Sequence, residues 1–147
     1  MLLKNKMQQA FVAGIIGTGV MTGIFYTAHW LGLPFVDHAG MFEFALGVTP
    51  IVGELLNFAL GIGFALFYAF AFMLALKTIH HVYVKGIIYG ISVWILAQTF
   101  MKVMGVTGEN VEIEMLQELL VSFTGHFVYG IVIAYLIPEP HIDEIED

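Results

Sequence analysis

The sequence predicts an all-α integral membrane protein in which four transmembrane helices form two tandem helical pairs. Of the 147 residues, 59% are hydrophobic and only 12% are charged, with a mean hydropathy of +0.88. A soluble domain has about 25% charged residues. Four long stretches of the chain carry no formal charge, and the two halves of the chain resemble each other. These observations indicate a single membrane domain over residues 1–147.

Each charge-free stretch is long enough for a spanning helix, which needs about 20 mostly apolar residues. The shortest stretch lies between Lys85 and Lys102, whose long side chains can reach the membrane interfaces. An acidic tail, 138–147, follows the last stretch. The predicted helices cover about 8–32, 50–76, 83–104 and 115–137.

An internal repeat is indicated by two echoes in the sequence. Residues 57–65 read NFALGIGFA and residues 126–134 read HFVYGIVIA, with matching phenylalanine, glycine, isoleucine and alanine at a constant offset. A second echo pairs FVAGII in the first span with YVKGII in the third. We therefore predict one repeat over about 8–76 and another over about 83–137, both with the same orientation in the membrane.

Two longer loops join the spans within each pair, and each is predicted to hold a short interfacial helix. In the first loop, Asp37 can cap the segment HAGMFEFALG, which is apolar enough to lie at the membrane interface. The second loop, GVTGENVEIEMLQEL, can form a similar helix before the fourth span. Pro34 is expected to end the first span, and Thr49 with Pro50 is typical of the start of the second.

The lysines predict the orientation of the chain. Lys4, Lys6, Lys77 and Lys85 lie on one side of the predicted spans, and Lys102 alone lies on the other. The positive-inside rule then places both termini in the cytoplasm. We expect a multi-pass protein of the cell inner (cytoplasmic) membrane, with the two long loops outside.

Composition also excludes several classes of function. The chain has no cysteine, which excludes disulfides, thiol nucleophiles and thiolate metal sites. It has no basic patch, and we therefore expect no nucleic-acid partner.

Polar side chains within spans are costly in lipid and are therefore the first candidates for function. Here they concentrate in the outer half of the predicted bundle. This asymmetry suggests an outward-facing polar pocket, closed toward the cytoplasm by aromatic side chains and glycine packing. The predicted pocket residues are His126, Asn57, Glu54, Gln98, Ser122, Glu118 and His29.

Three interpretations of this polar cluster stay open. Its members can be interhelical hydrogen-bonding residues, worth about 0.6 kcal/mol each. They can instead bind a small polar ligand or a proton, as in a small transporter or a lipid or quinone site. They can also ligate a metal or a haem, with His29 and His126 as axial haem ligands. The weak candidates for a metal site are His29, Asp37, His38, Glu43 and His126.

No motif with specific ligand spacing supports a cofactor, and we expect none to be bound. A catalytic site is not expected either. Glu118, Ser122 and His126 are spaced four residues apart and share one helix face. Three side chains stacked on a single helix do not supply a positioned nucleophile and an oxyanion hole together. The sequence therefore favours a protein that is not an enzyme.

The segments GIIGTGVM, GLPFVDHAGM, GIIYGISVWILAQ and GHFVYGIV together resemble a family of small bacterial four-span membrane proteins. The resemblance covers nearly the whole chain. It implies the four-span fold and no activity. In that family a histidine often stands near the position of Asn57, so the asparagine here argues against a paired-histidine site.

Two functions are compatible with these features. The small size, the lack of a catalytic signature and the aromatic face of the second span favour an accessory or structural subunit of a larger membrane complex, such as a respiratory one. The alternative is a small transporter or ligand-binding protein that uses the outward-facing pocket. The expected partners are the lipid bilayer and either other membrane subunits or further copies of this chain.

Overall fold

The computed structural model describes residues 2–35, 37–103 and 112–138, and its regular structure there is entirely helical. Four long helices cross the bundle, and one short helix follows the first of them. Each long helix is long and apolar enough to cross a membrane, so the predicted four-span, all-α membrane protein is confirmed. The helices are α1 (Leu2–Trp30), α2 (His38–Leu46), α3 (Pro50–Ala75), α4 (Val82–Val103) and α5 (Glu112–Leu136).

The end of α1 is set by a glycine that precedes the proline named in the prediction. Gly32 adopts a left-handed conformation with φ 73°. This turn lets the Leu33 N–H donate to the Ala28 carbonyl at 3.0 Å, which satisfies a carbonyl at the helix end. Because glycine adopts this conformation at little cost, the helix stops at Trp30. Pro34 follows the stop and does not cause it.

The first interfacial helix forms as predicted. The Asp37 carboxylate accepts a hydrogen bond from the Gly40 N–H at 2.9 Å, which caps the start of α2. Gly47, with φ 65°, ends the helix. Thr49 and Pro50 then begin α3 at the predicted positions, although the Thr49 side chain makes no capping hydrogen bond.

The second long loop is described only in part. From Glu112 onward the chain is already helical and continues without a break into the fourth span. This part of the loop extends α5 and forms no separate helix. The remainder of the segment predicted to hold the second interfacial helix, residues 105–111, lies outside the described residues, as does the acidic tail from residue 139.

α1 and α5 pack against each other at the centre of the bundle. α3 packs along α1 and α4 packs along α5, whereas α3 and α4 approach each other at few points. α2 packs on α3 and marks one end of the bundle, which we call the α2 end. Three tyrosines, Tyr68, Tyr89 and Tyr129, are among the largest fully buried side chains between the spans. A π-helical turn over Tyr68–Phe72 interrupts α3 toward the opposite end.

Candidate functional site

A cavity of about 320 Å³ lies among the spans at the α2 end. This volume is typical of a small-molecule site. Most of its wall is apolar and comes from α3 and α4, which do not pack along each other. Three nitrogen-bearing side chains line it as well: His38 on α2, Asn57 on α3 and His126 on α5.

The cavity opens sideways between α3 and α4. Leu60, Leu96 and Phe100 line it, and they are also 46%, 53% and 44% exposed on the surface of the bundle. These residues lie on apolar spans, so the opening faces the hydrocarbon of a membrane. At the α2 end, Met41 is buried together with Met101 of α4, and both line the cavity. The described residues thus place α2 over the cavity.

His126 is the most deeply buried of these three side chains, with 3% of its surface exposed. Its Nδ1 atom lies 2.8 Å from the carbonyl oxygen of Ser122. A carbonyl oxygen only accepts hydrogen bonds, so Nδ1 must donate and carries a proton. In the neutral ring, Nε2 is then unprotonated and can accept a hydrogen bond or ligate a metal. Helix geometry therefore fixes the tautomer that His126 presents.

His38 stands beside His126, although the two are far apart in the sequence. The Asp37 cap starts α2 directly before His38 and points its ring into the bundle, where the ring stacks on Phe25 at 5.0 Å between centroids. The His38 and His126 ring centroids are 5.4 Å apart. Phe25 also lies 6.2 Å from the His126 ring. One phenylalanine of α1 thus supports both imidazoles at the polar part of the cavity.

Asn57 is held by α1 as well. It is 6% exposed, and its Nδ2 donates to the hydroxyl of Thr22 at 3.3 Å. Asn57 and His38 also border a second cavity, of about 10 Å³, which is lined mainly by polar residues. The polar side chains around this second cavity are Thr22, Tyr26, Asp37, His38, Glu54 and Asn57.

Two tyrosines close the gap between α3 and its neighbours away from the α2 end. Tyr129 of α5 donates its hydroxyl to the Gly61 carbonyl at 2.6 Å. Tyr89 of α4 donates to the Phe64 carbonyl at 2.5 Å. The ring of Tyr68 packs on Tyr89 at 4.8 Å between centroids. These bonds tie α4 and α5 to the backbone of α3 below the cavity.

The pocket residues predicted from the sequence do not all line the same cavity in the structure. His126 and Asn57 line the larger cavity, and Glu54 lines only the smaller one. Gln98 donates to the hydroxyl of Ser122 at 3.1 Å, and neither residue lines either cavity. Because His126 bonds to the backbone carbonyl of Ser122 and not to its hydroxyl, the nucleophile–base hydrogen bond of a hydrolase is not formed here.

Two further predicted residues lie away from both cavities. The exposed His29 is in the last turn of α1, with its ring 5.0 Å from that of Phe35. Glu118 is half-buried on α5. His29 and His126 therefore do not meet in the cavity as a pair of axial haem ligands would.

The weak candidates for a metal site are also separated by their local roles. Asp37 caps α2, and the half-buried Glu43 lies further along that helix without lining either cavity. Among residues 2–35, 37–103 and 112–138, no three His, Asp or Glu side chains are grouped so that they could hold a metal ion. Within this described part, His38 and His126 are the only two of these candidates whose rings contact each other.

Sequence reasoning missed His38 as a cavity residue and Tyr129 as a cavity wall and helix clamp. The signal for His38 was present in the predicted helix HAGMFEFALG, where Asp37 as N-cap makes His38 the first helical residue. The direction in which α2 folds back over the bundle was not readable from the chain. For Tyr129 the sequence offered only an apolar context, because its partner is a backbone carbonyl on a distant helix.

Residues 4–139 match one protein family, described as "Family of unknown function (DUF6789)". Neither a curated protein nor a solved structure matches the chain.

Proposed function

Because the chain belongs to DUF6789, a family of unknown function, we propose its function from the cavity: the protein binds a small lipid-soluble molecule that carries a hydrogen-bonding group. This is a binding function and involves no catalysis. The observation that carries it is the sideways opening of the cavity between α3 and α4, at Leu60, Leu96 and Phe100.

The wall of the cavity indicates that most of the ligand is apolar. Val93, Leu96, Ala97, Phe100 and Met101 form the α4 side and include no polar side chain. An apolar molecule that enters this space from the membrane exchanges contacts with lipid for contacts with protein. It makes no hydrogen bonds in the lipid, so it loses none on binding. A strongly polar or charged molecule would lose its hydration without replacement.

The polar side chains of the lining indicate that the ligand carries a single hydrogen-bonding group. His126 offers an unprotonated Nε2 in its neutral form, His38 adds a second imidazole, and Asn57 adds an amide. An apolar cavity with a few convergent polar groups is the usual arrangement of a small-molecule site. An interhelical role alone would not require the open volume beside these side chains.

The test is to identify what the protein carries from its native membrane. The protein is purified in a mild detergent and extracted with organic solvent, and the extract is analysed by mass spectrometry. Ala97→Phe fills the cavity from α4, whereas Ile95→Phe adds the same ring on a lipid-exposed position of the same helix. We expect one compound at about one molecule per chain from the wild type and from Ile95→Phe, and its loss from Ala97→Phe. Equal recovery of bulk lipids from all three proteins would contradict the proposal.

The accessory-subunit interpretation stays a prediction with a separate test. If the chain belongs to a larger membrane complex, then larger subunits will copurify with it in constant ratio and will do so equally well from Ala97→Phe. The predicted placement in the inner membrane and the cytoplasmic termini likewise stay predictions.

A further inference from the structure

The smaller cavity is lined by a half-buried acid, Glu54, that the binding proposal does not use. Glu54 accepts a hydrogen bond from the Tyr26 hydroxyl on its Oε1 atom at 2.8 Å. Its other carboxylate oxygen, Oε2, is shielded from solvent and has no hydrogen-bond partner among the described residues. A buried carboxylate oxygen without a donor costs free energy, so such atoms are normally satisfied by a protein group or by an ordered water.

The space beside Glu54 suits one water molecule. The smaller cavity has a volume of about 10 Å³, which is close to the least volume that holds a water. A buried water needs two to four polar partners. Glu54, Asn57 and His38 border this space, as do the hydroxyl groups of Thr22 and Tyr26.

His38 connects this space to the larger cavity. Of the residues described, only His38 and Asn57 border both cavities, and only the imidazole can gain and lose a proton near neutral pH. Its ring is in contact with that of His126, with 5.4 Å between centroids. Asp37, which caps α2 beside His38, is exposed at the α2 end.

We propose that a water molecule bound between Glu54, Asn57 and His38 forms, together with His38, a proton route from the solution at the α2 end to the ligand cavity. The Glu54 carboxylate takes up a proton and passes it through the water to the unprotonated nitrogen of His38. The opposite nitrogen of His38 releases its own proton toward the cavity. One proton moves inward. The ring then rotates about its Cβ–Cγ bond, which again turns an unprotonated nitrogen toward the water and an N–H toward the cavity.

The end point of this route rests on the proposed function, because the proton acceptor in the cavity is either His126 or the polar group of the ligand. The route implies that the ligand is one that takes up or releases a proton, for example a quinol or another weakly acidic hydroxyl compound. The water, Glu54 and His38 do not depend on the ligand, and they can be tested without it.

The protonation of His38 in lipid nanodiscs provides that test. Ring nitrogen shifts of ¹⁵N-labelled histidine report protonation, and His38→Gln and His126→Gln assign the signals. The charged or titratable groups facing His38 are Tyr26 from α1, Asp37 from its own helix, Glu54 from α3 and His126 from α5, while α4 contributes only apolar side chains to the cavity. A carboxylate nearby favours the protonated imidazole. Glu54→Gln should therefore lower the pH midpoint of His38 protonation by about one unit.

Two control variants separate this effect from others. Glu43→Gln makes the same charge change on the helix of His38, away from both cavities, and should leave the midpoint in place. Tyr26→Phe removes the hydrogen bond to Glu54 and keeps its charge, so it should not lower the midpoint. An unchanged midpoint in Glu54→Gln, or equal shifts in Glu54→Gln and Glu43→Gln, would overturn the proton route. Neither result would affect the binding proposal, which the Ala97→Phe comparison tests.

Discussion

Gly14 on α1 lies directly against the backbone of Ile62 on α3: a side-chain carbon at Gly14 would stand 2.6 Å from the Cα of Ile62. The same relationship recurs between α4 and α5, where a side-chain carbon at Gly86 would stand 2.7 Å from the Cα of Ile131. In the sequence echoes Gly14 pairs with Gly86, and Ile62 pairs with Ile131. The same contact between crossing helices thus occurs at matching positions in the two halves of the chain. This agrees with the tandem repeat, which stays a prediction.

The first prediction concerns the crossing of α1 and α3. Gly14→Ala places a carbon where the Ile62 backbone lies, and a backbone gives way only if the helix moves. We expect the free energy of unfolding to fall by about 1–3 kcal/mol. Detergent-induced unfolding in mixed micelles, followed by circular dichroism, measures it. Gly19→Ala is the matched control, because nothing lies within 4 Å of the added carbon. Equal losses in both variants would contradict this account.

The second prediction concerns the hydrogen bond from Tyr129 to the Gly61 carbonyl. Tyr129→Phe keeps the ring in place and removes the donor, which should lower the free energy of unfolding by about 0.5–1.5 kcal/mol. The same unfolding assay applies. Tyr135→Phe removes a hydroxyl from a residue that is 66% exposed on the same helix and should change stability little. If Tyr135→Phe costs as much as Tyr129→Phe, then the bond does not fasten α5 to α3.

The third prediction concerns orientation. The chain has no cysteine, so one introduced cysteine is its only thiol. Thr49 and Lys77 are exposed residues at opposite ends of α3. By the positive-inside rule, a membrane-impermeant maleimide should label Thr49→Cys on intact cells and Lys77→Cys only after permeabilisation. The reverse labelling pattern would place the termini outside and the cavity on the cytoplasmic side.

The spans and the first interfacial helix were predictable because their signals are local. Charge-free stretches mark helices in lipid, and Asp37 marks the start of α2 within one turn. The end of α1 was assigned to Pro34, although Gly32 with its left-handed conformation acts first. Proline and glycine both stop helices, and their order along the chain decides which one acts.

The site was predictable only in part because it depends on how distant segments meet. His126 and Asn57 could be selected as polar residues within spans, and both line the cavity. His38 could not be placed there without the path of α2. Gln98 and Ser122 carried the same kind of sequence signal as His126, yet they bond to each other outside the cavity. Polarity within a span identifies residues that need a partner, but it does not distinguish a neighbouring helix from a ligand.

The π-helical turn over Tyr68–Phe72 shifts the helix faces of the residues that follow it in α3. Such a turn accommodates one extra residue, which rotates every later side chain by about 100° around the helix axis. The sequence echo ends at Ala65, just before this point. Position counting from Pro50 therefore assigns the wrong helix face to the residues after the turn. Helix faces in α3 therefore have to be assigned separately before and after the turn.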